Sequence, residues 1–360
     1  MKSFFKDFQK WFFRFSSIYV IIIILCIVRV DYYLYLPGNT TDIKNKITIV
    51  DKDNNLNGSV SAVYVLSFER PTLFQYLLTK DATYSLSYKM SKEDIASSDP
   101  KLTSAIGRFD SDESFNNASL AAYSLLVDDD EDFYNEFTYI YSANKNIDCE
   151  VLDSNIKNEN SYLFIVGKKV TGFENNPNTN PKVSEVSNYL KTKNVGEIAT
   201  LYIEDKNGND FTINIKKRLE NNSEVFGITI KTTYTLKDGI KTEISNVYTE
   251  GPSGGAMEAL YIYLVSSGED LLKGRKISGT GTISYSLDVD GNIDSFSKVG
   301  PIGCVEQKIY AAYIDKMDIF YCPKENYDAC IKAATTYGIL DKIKIVKVEY
   351  LIDIINDLKG

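Results

Sequence analysis

Glu250-Gly251-Pro252-Ser253-Gly254-Gly255, followed at once by Ala256-Met257-Glu258-Ala259-Leu260-Tyr261-Ile262-Tyr263-Leu264, is the stretch around which the chain is organised. It reads as a tight turn that opens a helix. Gly251 and the Gly254-Gly255 pair allow backbone angles that other residues resist, Pro252 stiffens the approach, and Ser253 is held exposed at the helix N-terminus. Backbone amides and the positive end of the helix dipole gather there, so an oxyanion forming beside Ser253 would meet donors already oriented. Alone, such a turn is ordinary punctuation, and its meaning depends on what surrounds it.

Composition restricts the partner of such a serine. The 360 residues include no histidine, which removes a Ser-His-Asp triad, a Cys-His pair, a histidine-ligated zinc site and a histidine general base. Lys, Asp, Glu, Tyr or an N-terminal amine would have to take the proton. Lysine does so when burial in a desolvated pocket lowers its pKa. A net charge of −9 with no basic arm or stripe argues against a nucleic-acid partner. The hydrophobic content of 44% suffices for the cores of two or three domains.

Residues 1–36 read as a cytoplasmic tail and membrane anchor. Lys2, Lys6, Lys10 and Arg14 precede the apolar run Ile18 to Val28, with Trp11, Phe12, Phe13 and Phe15 on its near side and Tyr32, Tyr33 and Tyr35 on its far side. A basic flank, apolar centre and aromatic edges fit a single span with a cytoplasmic N-terminus. Phe15 to Leu36 reaches the roughly 20 residues that a bilayer requires, with Arg29 and Asp31 at the outer interface. A cleaved signal peptide is the alternative, but no Ala-x-Ala-like site follows the run. Everything after Pro37 is then expected outside the cytoplasm, attached to the cell membrane.

Residues 37–132 read as an α/β region, with strands at Ile47–Val50 and Ser59–Leu66 and helices at Phe74–Leu78 and Phe115–Leu126. The acidic run Asp128–Asp132 reads as a solvated loop without EF-hand spacing. Residues 133–217 form a second unit. It comprises a strand with a glycine turn at Ser161–Val170, a helix at Val183–Lys191, and a hairpin of Ile198–Ile203 and Phe211–Ile215 around Asn207-Gly208-Asn209. That order resembles a PDZ domain, which would accept an extended chain by strand addition; a small α+β spacer is the alternative.

Residues 218–360 form the third unit, with strands at Val225–Ile230, Thr242–Val247 and Lys276–Ile283 and a turn at Asp290-Gly291-Asn292. After the break at Gly303, a helix places Val305, Lys308, Ile309 and Ala312 on one otherwise apolar face, so Lys308 points toward the core. The C-terminal end, from Asp318 to Leu358, alternates β and α. Cys322 and Cys330 read as buried thiols rather than a disulfide framework.

Gly-Pro-Ser-Gly-Gly at 251–255, Gly-Thr-Gly at 279–281 and Pro-Ile-Gly at 301–303, with a helix lysine five residues on, resemble the proteolytic domain of the Lon family. By that match Ser253 is the nucleophile, Lys308 its base, Thr280 a hydroxyl near the lysine amine, and Gly251, Gly254 and Gly255 shape the oxyanion turn. With the anchor and PDZ-like unit in front, the whole chain resembles the membrane-anchored, PDZ-containing Lon-like proteases of bacteria. The resemblance implies an α+β fold and an ATP-independent serine endopeptidase acting on protein or peptide substrates without metal or cofactor. It also implies a homo-oligomeric, hexameric ring. No Gly-x-x-x-x-Gly-Lys-Ser/Thr is present, so the chain carries no P-loop motor. Two positions depart from the family pattern: Gly254 stands in place of alanine, and Cys304 in place of the second glycine before the lysine helix. A longer insertion, Tyr285 to Lys298, reads as an extended hairpin. Three readings stand at this point: a membrane-bound Ser-Lys peptidase, an inactive membrane-anchored scaffold, and a protein that cleaves itself once.

Overall fold

The computed structural model describes residues 2–127, 133–152, 160–237, 239–245, 251–289 and 293–360, and its fold mixes helices and strands. Its first element, α1 (Lys2–Ile27), carries a 20-residue apolar window, Phe8–Ile27, none of it buried against the rest of the chain. That window is long and apolar enough to cross a membrane. Beyond it come β1 (Tyr32–Asp42), β2 (Ile47–Ile49), β3 (Ser59–Glu69), α2 (Leu73–Thr79), β4 (Leu86–Lys89), α3 (Lys92–Ser97) and the long α4 (Pro100–Ser124). The expected span of Phe15–Leu36 is corrected at its far end. Tyr32 to Leu36 is bulky and β-prone, and it pairs antiparallel with β3 on one side and β4 on the other, so its backbone bonds are made in a sheet.

The next group is β5 (Tyr134–Ala143), β6 (Cys149–Val151), α5 (Ser161–Ile165), β7 (Lys169–Phe173), α6 (Val183–Lys191), β8 (Ile198–Glu204), β9 (Asp210–Lys216), β10 (Arg218–Glu220), β11 (Ser223–Val225) and β12 (Ile228–Leu236). Six of these strands form an antiparallel sheet in the order β12-β5-β7-β8-β9-β6. The unit therefore extends to Leu236, past the expected limit at 217, because β12 pairs along the whole of β5. The strand expected at Ser161–Val170 is in its first half the helix α5. Tyr162 and Ile165 are its buried apolar residues, and their spacing of three is helical. Gly167, at φ 76, then turns the chain into β7.

The remaining elements are β13 (Thr242–Ile244), α7 (Gly255–Ser267), β14 (Lys276–Gly279), β15 (Thr282–Leu287), β16 (Ile293–Gly300), α8 (Val305–Ile314), β17 (Ile319–Pro323), α9 (Tyr327–Thr336), β18 (Lys344–Val348) and α10 (Leu351–Lys359). The expected hairpin is present as β15 paired with β16. Readings that involve Asp128–Asp132, residues 246–250 or the turn Asp290-Gly291-Asn292 lie outside the described residues.

A second six-stranded sheet runs β18-β17-β14-β3-β1-β4. Its first four strands are parallel, and β1 and β4 are antiparallel to their neighbours. Segments 37–132 and 218–360, expected as separate units, thus share one sheet, with the β5–β12 unit inserted between its two halves. Successive residues of β17 face opposite layers. Ile319 and Tyr321 pack in the cluster of α7 and α10, while Phe320 and Cys322 pack in that of α8 and α9. Helix α7 is buried from Gly255 to Val265, which explains why it is apolar all round. Each large side chain fully buried there contributes roughly 1.5–3 kcal/mol.

Candidate active site

The two layers meet at the C-terminal end of β14. Ser253 stands at the start of α7 on one side of the sheet, Lys308 comes from α8 on the other, and Thr280 follows the last residue of β14. The Nζ of Lys308 lies 2.6 Å from Ser253 Oγ and 2.9 Å from Thr280 Oγ1. Lys308 is 2% exposed and Thr280 fully buried, whereas Ser253 is half-buried and reachable. Val305, Ile309 and Ala312 share the buried face of α8 with Lys308, as the helical period requires.

Burial brings the Lys308 pKa down to about 8, and a weaker influence of Cys304 opposes that shift. The proton inventory then orients the amine. The Thr280 hydroxyl donates to the Ser253 carbonyl at 3.0 Å, so it presents only lone pairs to Lys308. A neutral Lys308 that donates one N–H to Thr280 has its own lone pair free for the Ser253 hydroxyl proton. The Ser253 carbonyl is held further by the Gly281 N–H at 2.9 Å, and Thr280 by its N–H to the Tyr321 carbonyl at 3.1 Å.

The turn itself differs in detail from the sequence expectation. Gly251 adopts φ 88 and donates its N–H to the Gly107 carbonyl on α4, and the Gly255 N–H goes to the Pro252 carbonyl at 3.3 Å. Neither is therefore a free oxyanion donor; Gly251 and Gly255 shape the turn. Among the described residues, the N–H groups of Ser253 and Gly254 have no hydrogen-bond partner. Gly255 is required by contact rather than by angle, since a Cβ there would sit 2.6 Å from Ser114 Oγ and 2.9 Å from Ile283 Cγ2. At Gly254 a Cβ would meet nothing closer than 3.4 Å, so an alanine would fit.

Sequence reasoning missed two supporting residues. Ser114, buried on α4, donates to the Pro252 carbonyl at 3.1 Å. Asn326 clamps the loop before α8, accepting from the Ile302 N–H at 2.8 Å and donating to its carbonyl at 2.9 Å. Both lie far along the chain from what they hold, so no local pattern could have marked them. Cys304, the N-cap of α8, sits at φ 59 and ψ 37, where an L side chain is strained and a glycine would not be. Burial raises its thiol pKa, and the nearby Lys308 opposes this. Cys322 and Cys330 are free, fully buried thiols.

No protein-family model matches this chain, and no curated protein matches its sequence.

Proposed function

We propose that the chain is a membrane-anchored, ATP-independent serine endopeptidase of the Lon-like kind, in which Lys308 activates Ser253. The observation that carries this reading is the 2.6 Å contact between a buried lysine amine and a reachable serine hydroxyl. A lysine held at about pKa 8 is neutral often enough near neutral pH to accept a proton. Ser253 Oγ attacks the peptide carbonyl while Lys308 takes its proton. The oxyanion is met by the Ser253 and Gly254 N–H groups, and the lysine returns the proton to the leaving amine. Water then hydrolyses the acyl-enzyme with Lys308 again as base. Thr280 touches the amine throughout and fixes its orientation.

The inserted unit supports a delivery role. Among the described residues strand β12 is at the edge of its sheet, paired only with β5, and an extended substrate would add along its other side in the PDZ manner. Incubating the purified full-length protein and its Ser253→Ala variant with casein tests the reading. Turnover by the first and not by the second supports it. Complete silence favours a scaffold, and one change in the protein's own mass favours self-processing.

A further inference from the structure

We propose that α2 is a second membrane contact. The face formed by Phe74, Leu77 and Leu78 lies in the interfacial layer of the leaflet from which the C-terminal end of α1 emerges. This inference rests on reading α1 as a span. Helix α2 has only seven residues, none of them buried, yet its start is fixed by a capping box between Thr72 and Gln75. Phe74, Leu77 and Leu78 are spaced as one helical face and are 44%, 49% and 67% exposed. On another side, the Tyr76 ring packs on Tyr32, the first residue of β1, with centroids 4.5 Å apart. The helix is therefore anchored to the sheet with its apolar face turned outward.

Its depth is set by the end of α1. The Leu73 N–H donates to the Val28 carbonyl at 2.7 Å, the Val30 N–H to the Pro71 carbonyl at 3.0 Å, and the Arg29 guanidinium to the Arg70 carbonyl at 3.0 Å. Val28 directly follows the window Phe8–Ile27. Twenty helical residues at 1.5 Å each give about 30 Å, the thickness of the hydrocarbon core. When that window fills the core, with Lys10 and Arg14 near its inner end snorkelling to the cytoplasmic headgroups, the first residue of α2 stands at its outer boundary, with Arg29 at headgroup level. An exposed face of one Phe and two Leu at that depth is continuous with the lipid-facing surface of α1, as in helices that lie in the membrane interface. A second copy of the chain would have to displace lipid from the same place.

The chain has a single tryptophan, Trp11, inside the apolar window, and this makes the test direct. The full-length protein is reconstituted into vesicles of phosphatidylcholine, with or without lipids brominated at shallow or deep acyl positions. Trp11 reports on α1; Trp11→Phe/Leu78→Trp, and independently Trp11→Phe/Phe74→Trp, report on α2. The inference expects Trp11 and both reporters on α2 to be quenched about twofold or more by bromolipid. The α2 reporters should respond most to shallow bromines and little to aqueous iodide. Quenching of Trp11 with α2 reporters open to iodide and untouched by bromolipid overturns the inference while the span stands. Loss of iodide access that depends on protein concentration, without bromolipid quenching, assigns the face to a second copy and overturns it as well. Failure of Trp11 to respond removes both the span and this inference.

Discussion

The ammonium of Lys46 lies 2.6 Å from a carboxylate oxygen of Glu258, and side chains of both residues are at most 5% exposed. The pair joins the N-terminal half of the sheet domain to the first turn of α7. Glu258 stands one turn after Gly254, and its Oε2 has no partner among the described residues. Removing Lys46 strands the Glu258 carboxylate away from water, and that outweighs the attraction lost. Lys46→Met should therefore cost about 3–5 kcal/mol of stability, whereas Lys46→Met/Glu258→Leu should recover most of it. Chemical denaturation of the unaltered protein, the single variants Lys46→Met and Glu258→Leu, and the double variant gives the coupling; additive losses would refute the ion pair as the cause.

Lys308 predicts that stability and activity both rise with pH. Its folded pKa of about 8 lies below the ordinary lysine value of 10.5, so between those values the unfolded chain binds more protons than the folded one. Stability from this group is complete above the unfolded value and is lost as pH falls through about 8. Lys308→Met removes the charge that burial penalises and should raise the melting temperature at neutral pH while abolishing peptidase activity. Activity of the unaltered protein should rise through about pH 8 as the amine becomes neutral. A flat rate profile from pH 6 to 10 would exclude Lys308 as the base.

The two glycines after Ser253 should respond in opposite ways. Gly255→Ala pushes a methyl into Ser114 and Ile283 and should destabilise by about 1–3 kcal/mol. Gly254, at φ −91 with 3.4 Å or more of clearance, should accept alanine and gain about 0.4–1 kcal/mol by restricting the unfolded chain. Thermal melts of the two variants decide it; equal losses would mean that the turn is held differently.

Strand addition at β12 has an alternating signature. In an antiparallel pair, every second N–H of β12 already bonds to β5 and the others face away. A saturating extended peptide should newly protect only the outward set over Ile228–Leu236 in amide hydrogen exchange. Uniform protection, or none, would argue against a groove on that edge.

Much of the candidate site was legible because its signals are local. The absence of histidine limits which base can serve, the Gly-Pro-Ser-Gly-Gly turn announces an exposed serine before a helix, and the period of Val305, Lys308, Ile309 and Ala312 turns one lysine inward. Each needs only composition or a few consecutive residues. The apolar window of α1 is of the same kind, although its end was misplaced because Tyr32 to Leu36 suits either an aromatic membrane edge or a strand.

The tertiary structure alone decided what depends on distant partners. A strand's neighbours are not written in its own residues, so the joining of β1 and β3 to β14, β17 and β18 in one sheet emerged only from the fold, as did the extension of the inserted unit to β12. Ser161–Ile165 is apolar enough for strand or helix, and the cluster against which Tyr162 and Ile165 pack selects the helix. The same holds for the donors of the turn. Sequence brings glycines to 251, 254 and 255, but which N–H groups remain free depends on the Gly107 and Pro252 carbonyls that take up two of them. Helical period turns Lys308 inward; only the crossing of two layers at the end of β14 puts Ser253 and Thr280 in front of it.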